Sequence, residues 1–359
     1  MLTYKDTGVD IDKGNNFVSF IKQNQMKDYS VVSNIGGYNA LVDITHYNIK
    51  DPILLFSTDG VGTKLKLATE LKDYENIGID LVAMVANDII CSGATPKVFL
   101  DYISYSDLSD EKLQAIYFGI MKGCEIAGMT IIGGETAQLP GQYKKNDYDL
   151  AGFGMGIVER NKVMSQDKVK EGDLIIGLKS SGLHSNGFAL INQILFNEGV
   201  EIKHLINSAL RKSLLTPTTI YAREIQLLLD YSYQLSNCIH GLAHITGGGF
   251  IDNIPRILPE HLYAEIDYEI PSYRYDNIIL NWKDIIKNPR NIFHFLYKRS
   301  IMTKEEMFKT FNCGIGMVII IDNEYSNAFL SLIEKALHRD YVIIGKVKKF
   351  NNTQVYFKE

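Results

Sequence analysis

The sequence predicts a mixed α/β fold arranged as two domains. Three observations carry that expectation. Short apolar runs alternate with helix-period stretches between residues 52 and 159. The polar, charged stretch "RNKVMSQDKVKEGD" then interrupts them at 160–173. A second alternation opens at "LIIGLKSSGLHSNGFALINQIL". A chain of 359 residues is long enough for two domains of ordinary size. Placing the boundary inside the charged stretch gives domains 1–165 and 166–359.

Taken in order, the first segment, to about residue 48, is rich in glycine and asparagine with weak periodicity, and reads as a mobile arm leading into a first strand. "PILLFSTDG" is a short apolar strand that delivers the glycine loop "DGVGTK". "GIDLVAMVANDIICSGATP" is helical and stops at Gly93, with Pro96 just beyond. "VFLDYIS" is strand-like. "SDEKLQAIYFGIMKGCEIAG" is the clearest helix. Ser109 suits its cap, Asp110 and Glu111 suit its first-turn dipole, and Gly128 ends it. Leu113, Ile116, Tyr117, Ile120, Met121 and Cys124 define its buried stripe. The strands "MTIIGGET" and "YDLAGFGMGIVE" follow, separated by a loop.

In the second half, "TPTTIYAREIQLLLDY" is helical and "HGLAHITGGGFIDNIPRIL" is a strand–loop–helix unit. From Glu265 to Lys309 the pattern is irregular. "GIGMVIIID" and "YVIIGKV" are closing strands on either side of the helical "NAFLSLIEKALH".

Composition excludes several function classes. With 46% hydrophobic and 22% charged residues the chain can bury a core. Lys and Arg number 37 against 42 Asp and Glu, a formal charge of −5, and the short lysine clusters read as solvated faces. Nucleic acid is therefore not an expected partner. No uncharged apolar stretch reaches the roughly 18 residues that span a bilayer, so no membrane partner is expected, and the first residues lack a signal-peptide pattern. Cys91, Cys124, Cys238 and Cys313 are widely spaced, which fits reduced thiols in the cytoplasm.

The loop "DGVGTK" poses the central chemical question, because an aspartate stands in front of an anion-binding pattern. Gly60 and Gly62 allow a tight turn with N–H groups exposed to an anion, and Lys64 and Thr63 suit a phosphate. Asp59 then fits as a Mg²⁺ ligand, since Mg²⁺ is held by a few carboxylates plus substrate phosphates. A purely structural glycine turn is the alternative. On a helix, Asp80 and Asn87 fall about 20° apart and Asp88 about 80° off. Apolar neighbours put Asp88 near buried surface, where a carboxylate must be paired, protonated or metal-bound. "GGET" (133–136) follows an apolar strand, where ligands sit in open α/β sheets, and Glu135 there suits a metal or a substrate amine. "GFGMG" lies within a strand pattern, so close packing explains it better than a dinucleotide site. "SSGLHSNG" and "HITGGG" each join strand to helix, with Gly247, Gly248 and Gly249 offering N–H groups to phosphate, and with His184 and His244 beside them.

Nine strings in register resemble the phosphoribosylformylglycinamidine cyclo-ligase (aminoimidazole ribonucleotide synthetase) family. They are "YKDTGVDIDKGN", "STDGVGTKLKLA", "GIDLVAMVANDI", "GATPKVFLDY", "GGETAQLPGQY", "YDLAGFGMGIVE", "SSGLHSNGF", "HITGGGFIDNIPR" and "MFKTFNCGIGM". The resemblance implies that family's two-domain fold, with the N-terminal domain forming the sheet of a homodimer and an α/β domain following it. It implies that ATP, with Mg²⁺, closes the imidazole ring of formylglycinamidine ribonucleotide, releasing ADP and phosphate. It further implies that Asp59 and Asp88 hold Mg²⁺, and that Gly60, Gly62, Thr63 and Lys64 receive the triphosphate. Lys5 and Asp12 would belong to an arm over the nucleotide. Gly133, Gly134, Glu135 and Thr136 would face the reacting region. His184, Ser185, Asn186, His244, Thr246 and Gly247 to Gly249 would hold the ribonucleotide, with His184 among the catalytic groups.

The chain departs from the family pattern at Asn39, where glycine is common, at "CSGATP", and at Gln138, where the family often has glutamate. The stretch 268–291 is longer than its counterpart. Selenophosphate synthetase and thiamine-monophosphate kinase share the wider superfamily and its ATP chemistry, and a non-catalytic nucleotide-binding scaffold is the alternative of a different class.

Overall fold

The computed structural model describes residues 4–197, 209–267, 273–275, 278–280, 292–337, 340–349 and 353–358. Most of the long stretch 268–291 lies outside the described residues. The chain forms two compact units, Met1–Ile89 with Ala94–Lys162, and Ile90–Gly93 with Val163–Glu359.

The first unit is built on a four-stranded sheet in the order β1 (Pro52–Gly60), β4 (Tyr148–Glu159), β2 (Thr95–Tyr105), β3 (Thr130–Gln138). The β2–β3 pair is parallel and the other pairs antiparallel. One face carries the helices α3 (Glu75–Cys91) and α4 (Asp110–Ala127). These helices approach until a Cβ on Gly78 would lie 2.3 Å from the Ile116 carbonyl, and one on Gly119 would lie 1.9 Å from that of Glu75. Glycine is the residue that fits there. Gly152, Gly154 and Gly156 of "GFGMG" likewise present their Cβ positions to Val85 and Ile89 of α3, so that string is a packing surface in β4.

The α4 stripe expected from the sequence is buried at Leu113, Ile116, Tyr117, Ile120 and Cys124, with Met121 half-buried. Gly128 ends the helix in the left-handed conformation, as expected. Ser109 occupies the N-cap position, but its hydroxyl makes no capping bond to the backbone.

The N-terminal segment departs from expectation. It holds a 13-residue helix, α1 (Ile11–Gln23), capped by Asp10, whose carboxylate accepts the N–H groups of Asp12 and Lys13. Gly14 and two asparagines hide this helix in the sequence, because they lower its intrinsic propensity. Tertiary contacts supply what propensity lacks. Phe17 is buried with its ring edge-on to Tyr117 of α4, and Lys13 donates to the Leu108 carbonyl. Gln138, the position where glutamate is usual, accepts the Asp10 N–H at 2.9 Å and donates to the Ser106 carbonyl. A neutral amide that both donates and accepts therefore anchors the arm. The first strand expected near residue 40 is reduced to a single bridge between Val31 and Val42.

The second unit holds a six-stranded sheet in the order β12 (Val355–Lys358), β7 (Leu262–Asp267), β11 (Tyr341–Lys349), β5 (Leu174–Lys179), β10 (Ile315–Ile321), β6 (Ile239–His244). Strands β10 and β6 are buried along their whole lengths, as an uninterrupted run such as "IGMVIII" requires. Helices Ala222–Gln234 and Ser326–Leu332 pack on this sheet through Ile225, Leu228, Leu229 and Phe329. The loops "SSGLHSNG" and "HITGGG" leave the C-terminal ends of β5 and β6, and α5 (Phe188–Asn197) follows the first of them. A further pair of short strands, β8 (Tyr273–Tyr275) and β9 (Ile278–Leu280), is antiparallel. Cys124, Cys238 and Cys313 are buried and Cys91 is half-buried; burial pushes the thiols of the first three up, away from thiolate. No helix among the described residues is long and apolar enough to cross a membrane.

Candidate active site

In the first unit, β1 ends at the glycine loop. Asp59 pairs in register with Gly152, which pairs with Asp101, which pairs with Gly134. Residues opposed in register share a face, so Asp59 lies on the helix-bearing side, where Gly152 meets Val85. Asp88 is on α3, three residues past Val85 and half-buried. One oxygen of Asp59 accepts the Gly60 N–H at 2.8 Å. Gly62 is exposed with φ +70°, and a Cβ there would meet nothing within 4 Å. Backbone conformation, rather than crowding, is what that glycine supplies. Thr63 is exposed at the start of α2 (Lys64–Leu71).

Lys64 is turned inward. It is fully buried and its ammonium lies 2.7 Å from the carboxylate of Asp80, also fully buried. The sequence assigns Lys64 to phosphate, whereas the structure shows its charge engaged within the layer between α2 and α3. The helical angle that set Asp80 beside Asn87 is reproduced, and both are enclosed.

The next register row crosses Gly60, Ala151, Tyr102 and Glu135. The glycine loop and "GGET" thus lie level on the sheet, three inter-strand spacings or about 14 Å apart. Glu135 is exposed and its carboxylate accepts the Thr136 N–H at 2.9 Å. Together with Gly133, Gly134 and Thr136 it forms one wall of an open cavity of about 760 Å³, flanked by α1 and residues 34–40. Asn39, one of the departures from the family pattern, lines it. Lys22 of α1 also lines it, with its ammonium over Gly36, where a Cβ would sit 2.8 Å from Nζ. The cavity therefore holds the Lys22 ammonium, the carboxyl groups of Glu135 and Asp101, and the amides of Asn15, Asn34 and Asn39. Nothing in the local sequence marks Lys22, because the weak periodicity of residues 11–23 hides the helix that aims it at the cavity. Asp12 is exposed in the first turn of α1, where a carboxylate suits the helix dipole, and Lys5 falls in the single turn Tyr4–Thr7.

Behind "GGET" lies Asp101, 4% exposed. A Cβ on Gly134 would come within 2.4 Å of its Oδ1. Burial, together with the charge of Glu135, pushes the Asp101 carboxyl up to about 7, though its own N–H works the other way. Nothing in the sequence pattern sets this aspartate apart.

In the second unit the two loops meet. Asn186 Oδ1 lies 3.8 Å from the Cβ position of Gly247, and the Ser185 hydroxyl is 3.0 Å from that of Thr218. The Asn186 side-chain nitrogen is buried with no hydrogen-bond partner among the described residues. Gly247 is exposed, Gly248 and Thr246 are half-buried, and Gly249 is packed against the Phe308 carbonyl. Asn253, 2% exposed, holds this loop by donating to the carbonyls of Gly249 (2.7 Å) and Gly247 (3.2 Å).

His184 is placed differently from its expected catalytic role. It is fully buried at φ +60°, and Nε2 accepts N–H groups from Ser181 at 3.3 Å and Thr219 at 3.4 Å. Those donors require a lone pair on Nε2, which assigns the ring proton to Nδ1 and disfavours the cation. His184 braces the loop from inside. His244, 5% exposed at the end of β6, is likewise internal.

Two family models match the chain, "AIR synthase related protein, N-terminal domain" over residues 39–158 and "AIR synthase related protein, C-terminal domain" over 170–358. Curated relatives named phosphoribosylformylglycinamidine cyclo-ligase are 43% identical over 351 residues in Thermoanaerobacter pseudethanolicus, covering 95% of this chain and 96% of the relative. Identity is 41% over 359 residues in Coxiella burnetii, covering 98% and 95%.

The chain belongs to the phosphoribosylformylglycinamidine cyclo-ligase family.

Solved structures share the fold of this cyclo-ligase family member at greater distance. Thiamine-monophosphate kinase from Stenotrophomonas maltophilia has a TM-score of 0.63 at 18% identity, covering 95% of each chain. The hydrogenase maturation protein HypE of E. coli has a TM-score of 0.65 at 17% identity, covering 96% of this chain and 93% of that one. Another HypE structure, with a TM-score of 0.63 at 17% identity over 96% of this chain and 90% of that one, is a complex with ATP. The expected mixed α/β architecture and the expected family are both borne out.

Proposed function

We propose that the protein closes the imidazole ring of formylglycinamidine ribonucleotide at the expense of ATP, giving 5-aminoimidazole ribonucleotide, ADP and phosphate in purine biosynthesis. The observation that carries this reading is the relationship of more than 40% identity, over nearly the whole of both chains, to proteins named for that reaction.

The chemistry needs activation and then positioning. A formyl amide oxygen is a poor leaving group. Its attack on the terminal phosphorus of ATP releases ADP and leaves an imidate-like phosphate ester. The amidine-side nitrogen then attacks the same carbon, the C–O bond breaks with phosphate leaving, and the nitrogen loses a proton. Holding that nitrogen and carbon at attack distance supplies a large part of such a rate enhancement.

The cavity of the first unit suits ATP, with Lys22 as its cation and the asparagine amides as hydrogen-bonding groups; Lys5 and Asp12 belong to the arm that builds it. The ATP complex of HypE supports nucleotide binding by this fold. Gly60, Gly62 and Thr63 offer their backbone to the phosphates. Among the described residues no group of three or more His, Cys, Asp or Glu side chains forms a ready-made cation site. A pair of carboxylates completed by phosphates is the arrangement Mg²⁺ commonly takes, and Asp59 and Asp88 fit it. Bound there, Mg²⁺ would neutralise charge on the transferring phosphoryl group. Glu135 and Thr136 face the cavity near the reacting end, and Ser185, Asn186, Thr246 and Gly247 to Gly249 hold the ribonucleotide. His184 and His244 shape those loops from inside.

Homodimerisation is part of the proposal. Phe56 is 76% exposed and Phe153 45% exposed on the open face of the first sheet, with Leu54 beside them. Replacing Phe56 with glutamate is expected to convert a dimer to a monomer in sedimentation; an unchanged mass would remove this face as the interface.

The direct test mixes the protein with ATP, Mg²⁺ and formylglycinamidine ribonucleotide and follows ADP and aminoimidazole ribonucleotide together. Matched appearance of both products is expected. ADP alone would point to a different acceptor within the superfamily, and neither product would point to a nucleotide-binding scaffold.

A further inference from the structure

In the second unit, a residue outside the substrate loop fixes the loop's shape. Asn312 sits in "TFNCG", between the helix Lys304–Thr310 and β10, and is fully buried. Its Nδ2 donates to the Gly182 carbonyl at 2.9 Å, and its Oδ1 accepts from the Gly314 N–H at 2.8 Å and the Ser180 hydroxyl at 3.3 Å. The Ser180 hydroxyl also reaches the Gly182 carbonyl at 2.8 Å, and the Ser180 N–H donates to the Gly314 carbonyl at 2.8 Å. One carboxamide thus joins two turns. The first, Ser180–Gly182, carries the chain out of β5 into Ser185 and Asn186. The second, Asn312–Gly314, enters β10 through two successive left-handed residues, Cys313 at φ +44° and Gly314 at φ +99°. A buried non-glycine residue in that conformation is held there by its surroundings.

We propose that Asn312 is a positioning residue for the ribonucleotide: it sets the path of residues 180–186, and so the placement of Ser185 and Asn186, without touching substrate. The inference rests on the reading of "SSGLHSNG" as the ribonucleotide loop. The group's chemistry is specific, since the site needs a donor and an acceptor on one flat side chain. Aspartate keeps the shape and the acceptor but turns the donor into an oxygen facing the Gly182 carbonyl. Leucine keeps the bulk and loses both functions.

The experiment measures KM for each substrate and kcat in Asn312→Asp, Asn312→Leu and Ser180→Ala, beside the direct loop variants Ser185→Ala and Asn186→Ala, with thermal midpoints for all. Ser180→Ala removes the hydroxyl's contacts to Asn312 and Gly182 but leaves the Asn312 bonds to Gly182 and Gly314 in place, and is the variant expected to fold in every case. For folded Asn312→Asp, KM for the ribonucleotide is expected to rise about tenfold or more, as for other residues that orient binding groups. KM for ATP should stay within about twofold, and Ser180→Ala should show a smaller change of the same kind. A merely structural residue would lower the thermal midpoint and move both KM values together, or neither, and that result overturns the proposal. If Ser185→Ala and Asn186→Ala raise the ribonucleotide KM while the Asn312 and Ser180 variants do not, the positioning role alone fails. If the direct loop variants leave that KM unchanged, the loop assignment fails and the inference with it.

Discussion

The glycine loop of the first unit and the two glycine loops of the second are held by opposite means. Below "DGVGTK" the support is a full ion pair, Lys64 with Asp80, both enclosed. Below "SSGLHSNG" and "HITGGG" the buried hydrogen-bonding groups are the amides of Asn312 and Asn253 and the ring of His184, while the carboxylate packed against Gly248, that of Asp252, is exposed. The difference teaches where charge can be tolerated. A buried ion pair is stable only while both partners are present. A buried amide satisfies backbone groups without adding a charge that would compete with an incoming phosphate for the same N–H donors. The second arrangement keeps buried charge out of the loops proposed to hold the ribonucleotide. The first places a full charge pair beneath the loop whose Asp59 is proposed as a Mg²⁺ ligand.

The largest effect expected from breaking this contrast is on stability. Lys64→Met should cost about 3–5 kcal/mol in denaturant unfolding, because Asp80 is left charged and enclosed. Adding Asp80→Leu should recover most of it. A single variant as stable as the parent but unable to turn over would mean that the ammonium reaches the ligand, and the comparison would collapse. Next in size is Asp59→Asn, expected to lose at least about 100-fold in kcat, as removal of a transition-state charge partner commonly does. Its unfolding midpoint should not change. Normal turnover with normal Mg²⁺ dependence would end the metal role of Asp59.

A smaller effect sharpens the picture of the first unit. The Asp101 carboxyl stands at about 7 in the fold against an ordinary 3.8. Between those values the folded state holds more protons than the unfolded one, so stability falls as pH rises. The contribution of this group is fully present below 3.8 and lost by about 7. Asp101→Asn does not titrate, so its stability relative to the parent should be about 2–3 kcal/mol better at pH 8 than at pH 5. Parallel stability curves across that range would show that Asp101 does not carry the shift.

Much of the fold is legible in the residues. The stripe of α4, the glycine stop at Gly128 and the packing role of "GFGMG" follow from periodicity and from glycine's lack of a side chain. The arm at α1 was not legible. Its helix depends on Phe17 meeting Tyr117, and on Gln138 reaching back 128 positions to Asp10, contacts that no local window contains. Lys22 escaped notice for the same reason. Of the site, the loops themselves are visible as glycine-rich punctuation. Their props are not, because an asparagine that clamps a turn and one that faces water look alike in a string.

The sequence by itself determined the order of strands and helices between residues 52 and 159 and the position of each glycine loop at a strand end, since these rest on spacing along the chain; nine motif strings carried the resemblance to the cyclo-ligase family. Only the tertiary structure decided which polar groups face a ligand and which turn inward. Lys64, His184 and Asn312 all lie in or beside glycine-rich motifs, yet each is fully enclosed. Burial depends on which distant segment folds over a residue, and the desolvation it imposes separates a group that meets substrate from one that holds the site in shape.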